Sequence, residues 1–595
     1  MQISFTHGPT ELPRAPAYHL LVIGGFDPSA ADGNQAPIRI SRTDFQAVMD
    51  RIAPAIALDI DNRLTGNGET WWVRLQFRSL KDFTPAALIR QVPELDWIDA
   101  LRRTIEDVAA GKRPAPTLRE VLDDYAGIDG LAEVIRLCRT ALAEEPSSAP
   151  VPGSSPPPQA GRPAADDDLD RLFDMVSAPD QEDSGSAARN AVAGAIAAAT
   201  RKGGRPRPMS GSGLADAAAA VTALLEAQLQ GILSHPRFLD LEQAWRGLHW
   251  LLAGIGGDAP VDVQVLPRSA QTAAAAIGAV TPTDAAEPAA RFDLVLCDAV
   301  AGRTDLEWIR ALAAAAEAAM TPVLITLDGR FFTPPGDRPL GRVRDPANLL
   351  EQPEYQKWNA LGADAAMRWL GACFNDVILR PPYRAGDRHA AGITQPQDPA
   401  TFGLWGHAGW LVARRIAEQQ QQGDWPAPIT GAKVGRLADL PLMEAEDTAG
   451  EPRPLRHALS PDQAEELGNV GIIALACVPG QDSAWIMGAP SLLRVQAQAQ
   501  PETTRALRRD ASLPAQLLRA RLVHCISSAL EQLPGGSAAE RAAALQHYAG
   551  ALIANTGGSA QASADVDPQH PDRVRLRMQL GERVMPALSV ELQLD

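Results

Sequence analysis

His235-Pro-Arg-Phe-Leu-Asp-Leu-Glu-Gln-Ala-Trp-Arg-Gly-Leu-His-Trp-Leu-Leu252 is the stretch from which the fold is read. Phe238, Leu241, Trp245, Leu248 and Leu252 recur at alternating spacings of three and four, which lays them along one stripe of a helix. Ser234 is the expected cap, Pro236 occupies a first-turn position where proline is tolerated, and Gly254 follows the last apolar residue. Glu242 and Arg246 form an i,i+4 pair in the favourable order. Two tryptophans and Gly247 on one short helix point to tight packing against another helix or a sheet.

Outward from this helix, the totals bound the class. A chain of 595 residues with 45% hydrophobic residues holds several domains with ample material for cores. A net charge of −17 argues against a nucleic-acid surface, because that partner is a polyanion. Cys138, Cys297, Cys373, Cys477 and Cys525 are scattered without paired spacing, as expected of buried, reduced thiols in a cytoplasmic protein. The start, Met-Gln-Ile-Ser-Phe-Thr-His, lacks a signal-peptide arrangement. The alanine-rich windows near 213–233 and 308–326 are interrupted by Asp216, Glu226, Arg310 and Glu317, so no direct membrane insertion is expected.

Residues 1–144 read as one α/β block. A short strand at Gln2–Thr6 is followed by strands at 18–24 and 37–41, a helix from Phe45 to Ile52 capped by Thr43 or Asp44, and a hairpin. In the hairpin Ile56, Leu58 and Ile60 alternate against Trp71, Val73, Leu75 and Phe77 around Gly66-Asn-Gly68. Helical patterns continue over 95–109, 117–125 and 131–142.

Residues 145–212 form a Pro/Gly/Ser-rich linker with too few apolar residues to fix a core. Inside it, Asp166-Asp-Asp-Leu-Asp-Arg-Leu-Phe-Asp-Met-Val176 places Leu169, Leu172, Phe173 and Val176 at i, i+3, i+4 and i+7 behind helix-capping aspartates. A helix this short orders only against a groove, on its own protein or on a partner.

Residues 213–595 carry the opening helix, a strand at Val261–Val265, and a β-α-β pattern over 292–327. At the end of the chain, Val574, Leu576, Met578 and Leu580 alternate with polar residues, as do Leu588, Val590, Leu592 and Leu594. This is a two-strand unit that needs a further strand or layer to be stable.

Tests for chemistry find no constellation. Gly24-Gly25 is not a dinucleotide fingerprint, Gly111-Lys112 is not a phosphate loop, and the ten histidines show no metal-ligand spacing. His235, His249 and His524 are expected to cap or pack. Asp298, at a strand end, is the one carboxylate placed like an active-site acid, and Arg380 with Tyr383 reads as structural or interfacial. No catalytic, cofactor-binding or metal-binding residue is assigned, and no cofactor is expected.

The wording of several segments carries a resemblance. Leu241-Glu-x-x-Trp-Arg-Gly-Leu-x-x-Leu251 resembles the signature of the large subunit of the type VI secretion contractile sheath (VipB, or TssC). Glu351-Gln-Pro-Glu-Tyr-x-Lys-Trp358, Val377-Ile-Leu-Arg-Pro-Pro-Tyr383, Leu404-Trp-Gly-His-Ala408, Trp425–Gly431 and Gly488-Ala-Pro-Ser-Leu492 continue it in order. The first block is similar to the small subunit (VipA, or TssB) at Leu20–Phe26, Asp44–Pro54, Asn62–Thr65 and Leu75–Pro85.

The resemblance implies a fusion of both subunits with a multi-domain α/β sheath-protomer architecture. It implies polymerisation around an inner-tube (Hcp-like) protein, baseplate partners, and a recycling ClpV-like AAA+ ATPase. That ATPase recognises a helix preceding the large-subunit part, which makes Leu169, Leu172, Phe173 and Val176 the candidates. Terminal strands of sheaths join neighbouring protomers, so Gln2, Ile3 and Phe5 with Val574, Leu576, Met578, Leu588, Val590 and Leu592 are the candidate intersubunit strands. Two subunits are the usual arrangement, and the large-subunit part here is short. An accessory protein that caps, nucleates or regulates a sheath is therefore the alternative, and an α/β enzyme with an unrecognised site is the alternative of another class.

Overall fold

The computed structural model describes residues 13–28, 36–65, 69–143, 212–280, 291–334, 339–397, 402–423, 425–443, 451–496, 498–533, 537–586 and 588–594. They form two compact units that cut across the order of the chain. One takes the chain up to Asp61, Thr70–Val92 and everything from Gln228; the other takes Asn62–Glu69 and Pro93–Ala227.

The larger unit is organised on a mixed nine-stranded sheet. β1 (Tyr18–Gly24) and β2 (Ile38–Ile40) come from the first block. A separate hairpin pairs β3 (Ala55–Asp61) with β4 (Thr70–Gln76), in the register Ile56 to Leu75 and Leu58 to Val73. The remaining strands of the nine follow much later: β5 (Val261–Pro267), β6 (Leu294–Ala301), β7 (Val323–Leu327) and β8 (Leu370–Phe374). β9 (Val377–Arg380) and β10 (Leu404–Gly406) form a small antiparallel pair. β11 (Arg436–Leu437), β12 (Ile472–Cys477) and β13 (Ala484–Ile486) complete the sheet in the order β11-β13-β12-β8-β7-β6-β1-β5-β2.

β1 lies between β5 and β6 and runs parallel to both, with Leu20 opposite Val263 on one side and Leu294 on the other. A strand from the first block is thus an interior strand among strands of the second, while β2, also from the first block, forms the sheet's edge beside β5. Burial on both faces explains why His19 is the only residue of β1 that is not fully buried. One face is covered by helices Ala273–Val280, Leu306–Ala319 and Pro461–Asn469. On the other, Leu296 and Thr326 meet helix Ala408–Gly423.

The end of the chain folds into its own layer. β14 (Gln561–Val566), β15 (Val574–Gln579) and β16 (Ser589–Leu594) make an antiparallel sheet with β15 in the middle. Its apolar face packs on helices Leu513–Gln532 and Ala538–Ile553. Ser537 and Glu540 start the second of these with reciprocal cap bonds.

The smaller unit is helical, built from Pro93–Ala109, Ala115–Asp124, Ala132–Ala143 and the beginning of Ser212–Leu233. Asp99 is fully buried there and is paired with Arg102 and Arg103. Gly213 sits so close to Ala141 that a Cβ would come within 2.9 Å of it.

All five cysteines are free and buried. Burial pushes the Cys138 thiol up to about 11 and Cys525 to about 12, far from the thiolate range. Among the described residues no single helix is long and apolar enough to cross a membrane. A pair bent by 70°, Gly213–Leu233 with Pro236–Ala253, passes on length and composition, but its second helix is mostly buried inside the protein.

Candidate functional site

Helix Pro236–Ala253 carries the expected stripe, with Phe238, Leu241, Trp245, Leu248 and Leu252 all buried. Its cap differs from the expectation. Ser234 turns its hydroxyl back to the carbonyl of Gln230, and His235 caps instead, its Nδ1 accepting from the Arg237 amide at 3.2 Å. The helix is also buried beyond one stripe: Glu242 and Gln243 are inside as well.

Glu242 is the centre of a polar network that joins two of the quoted segments. Arg380 Nε donates to its Oε1 at 3.0 Å and Nη2 to its Oε2 at 3.2 Å, while Arg246 Nε donates to Oε1 at 2.7 Å. The Arg380 guanidinium also lies 4.3 Å from the centre of the Tyr383 ring and donates to the Gln395 side chain. Burial alone would raise the Glu242 carboxyl, but the two arginines hold it below its ordinary range. The Arg-Pro-Pro-Tyr run therefore supplies the counter-charge for the helix glutamate.

A second junction uses shape. Gly247 faces the indole of Trp410, where a Cβ would lie 2.5 Å from the ring. Trp245 Nε1 donates to the Phe26 carbonyl at 3.1 Å, with the Phe26 ring edge-on at 5.4 Å. The Gly-Gly-Phe segment of the first block is thereby fastened to the helix of the second, inside one unit.

Asp298, singled out as a possible acid, is held by two neighbours. Its Oδ1 lies 2.7 Å from His407 Nδ1 and accepts from Gln243 Nε2 at 3.1 Å. Burial opposes charging of His407, yet Asp298, with Asp376 and Asp240, raises its pKa above the ordinary value. His524 Nδ1 contacts the buried Asp293 at 2.9 Å, and His249 stands edge-on to Phe45. Of the three histidines expected to cap or pack, His235 caps and His249 packs, whereas His524 is held by a buried carboxylate. Among the described residues no group of three or more His, Cys, Asp or Glu is placed to hold a metal.

Of the candidate strand residues, Val574, Leu576, Met578, Leu588 and Val590 are buried in the C-terminal core, and Leu592 packs against it half-buried. What these strands leave open is main chain. β15 is paired on both sides, whereas β16 and β14 pair only with β15 among the described residues. Gln2, Ile3 and Phe5, and Leu169, Leu172, Phe173 and Val176, lie outside the described residues. The third strand, β14, was not read from the sequence, since Ala562, Ser563 and Ala564 give almost no alternation in size.

Comparison with known proteins follows these segments. Residues 10–131 match the family described as Type VI secretion system, VipA, VC_A0107 or Hcp2. Residues 216–286 and 292–493 match the family VipB, described as EvpB/VC_A0108, tail sheath N-terminal domain. The type VI secretion system sheath protein TssC1 of Pseudomonas aeruginosa is 23% identical over 335 residues, 51% of this chain, and the chain spans 66% of that relative's length. A chain in the cryo-EM structure of the anti-feeding prophage baseplate aligns with 59% of this chain and 80% of its own, at 12% identity and a TM-score of 0.32. The chain belongs to the type VI secretion sheath proteins, with a VipA-family part and a VipB-family part joined in one polypeptide.

Proposed function

We propose that this protein is the structural subunit of a contractile sheath, polymerising around an inner tube and contracting to drive it outward. The observation that carries this reading is the position of β1. The VipA-family part lends an interior strand to a sheet of the VipB-family part, so one chain supplies the composite unit that two sheath subunits would otherwise build. Fusion makes that pairing intramolecular. Work comes from a switch between two subunit packings, which needs no catalytic group.

The partners on this reading are other copies of the chain, an Hcp-like inner-tube protein and baseplate proteins, and the site of action is the cytoplasm. The edge of β16, which pairs only with β15 among the described residues, and the segment around Ile3 and Phe5 supply strand exchange between copies. Leu169, Leu172, Phe173 and Val176 supply the contact for a ClpV-like ATPase, so Leu172→Asp with Phe173→Asp abolishes its pull-down while assembly persists.

A second reading is an accessory protein that caps or nucleates a sheath. Negative-stain microscopy of the purified chain separates them. Long tubes, alone or with the inner-tube protein, support the subunit reading. Small particles that bind the end of a separately made sheath support the cap. Material that stays monomeric and binds neither tube nor itself overturns both.

A further inference from the structure

The loop after β13 and the junction between helices Pro501–Ala511 and Leu513–Gln532 enclose a cleft of about 530 Å³ in the larger unit. Arg494, Arg508 and Arg509 all line it. Among the described residues none of these three side chains is ion-paired, whereas Arg380, Arg415, Arg519 and Arg521 each meet a carboxylate. Arg494 is half-buried, and its Nη2 is enclosed without a hydrogen-bond partner. Burial lowers its pKa and no carboxylate offsets that cost. In a folded protein an enclosed donor left unpaired calls for an explanation.

The backbone adds to the same polarity. Helix Leu513–Gln532 begins at the cleft, and its N-cap residue Ser512 does not cap it, because the hydroxyl donates to the Arg509 carbonyl at 2.6 Å. The Leu513 amide donates to the Ala489 carbonyl and the Gln516 amide to the Ser512 carbonyl, and Pro514 has no N–H, so the helix start lends the cleft the positive end of its dipole and not a row of free amides. Gly468, Gly471 and Gly488 also line it, interspersed with Asn469, Val470, Met487 and Ala489. Glu465 is the one carboxylate on the lining, against three guanidinium groups. On a chain of net charge −17, this is a local reversal of sign.

We propose that this cleft is a binding site for a compact phosphate-bearing ligand with two or more negative charges. Guanidinium groups offer paired N–H donors that match phosphate oxygens, and the helix dipole favours negative charge at this end. The volume falls within the range of small-molecule sites. No aromatic ring lines the cleft, so recognition rests on the phosphates and not on stacking of a base. The site stands apart from the Glu242 network and does not depend on the sheath reading.

The test is calorimetric titration of the full chain with pyrophosphate at fixed ionic strength, with sulfate titrated in parallel. Saturable binding at a Kd below about 1 mM is expected. Arg508 and Arg509 are exposed, so Arg508→Gln with Arg509→Gln leaves the fold intact and weakens binding by about tenfold or more. Arg494→Lys keeps the charge but loses the fork, and binding falls several-fold. Absence of saturable heat, equal binding by the double variant, or sulfate binding as tightly as pyrophosphate would each overturn the assignment.

Discussion

Glu242 and Arg380, 138 residues apart in sequence, meet in the interior through two hydrogen bonds of 3.0 and 3.2 Å. Glu242 is completely buried and Arg380 nearly so. Removing one member of such a pair leaves a charge that the interior cannot solvate. Arg380→Met is therefore expected to destabilise the larger unit by about 3–5 kcal/mol, even though Arg246 remains beside the carboxylate. Glu242→Gln combined with Arg380→Met should cost less than the sum of the single changes, because no stranded carboxylate remains. Thermal melts followed by tryptophan fluorescence check both; additive losses would show that the two side chains act independently.

Gly247 is fixed by contact and not by backbone conformation. A methyl group at this position would press on the Trp410 indole from 2.5 Å, and both helices are held by packing on their other sides. Gly247→Ala should destabilise by about 1–3 kcal/mol despite the better helix propensity of alanine. Adding Trp410→Leu should recover part of that loss by making room. A neutral or stabilising Gly247→Ala would mean that the two helices separate freely.

The His407–Asp298 contact has a pH signature. The folded pKa of His407 is raised above its ordinary 6.5: burial opposes the charge, but Asp298, Asp376 and Asp240 together outweigh it. Its stabilising contribution is therefore fully present below about 6.5 and is lost as pH rises through the folded pKa. The gap in urea midpoint between the native chain and His407→Gln should be wide at acidic pH and should close on the alkaline side. His19 and His249, whose pKa values burial lowers, act in the opposite sense in both proteins and cancel in this difference. A gap that widens with pH would contradict the assignment.

Local periodicity made the central helix, the β3–β4 hairpin and the terminal strands legible. Each announces itself within about a dozen residues by spacing alone. What it left out was set by distant partners. Glu242 and Arg246 read as an i,i+4 pair on a helix, and only Arg380, brought in by β9, explains a buried carboxylate there. The place of β1 between β5 and β6 depends on parallel pairing across more than two hundred residues, which no local pattern encodes. Helix Ala538–Ile553 and β14 were missed because alanine and serine blur both periodicities, although Ser537 and Glu540 stood at capping-box spacing. The His235 cap was hidden by the better-known preference for serine, whose hydroxyl is spent on Gln230.

The terminal sheet separates folding from assembly. Leu576 and Met578 point from the central strand into the C-terminal core, and Leu576 is completely buried. Leu576→Ala is expected to cost about 2–5 kcal/mol and to lower the melting temperature whether or not the chain has polymerised. The sheet already has three strands of its own. On the proposed strand exchange, deleting residues 1–7 should leave the melting curve of the unpolymerised chain unchanged and shorten or abolish tubes in negative stain, since only a strand added from another copy is lost. Tubes of normal length from the truncated chain would remove the N-terminal segment from the exchange. The outer edge of β16 would then have to join a different strand.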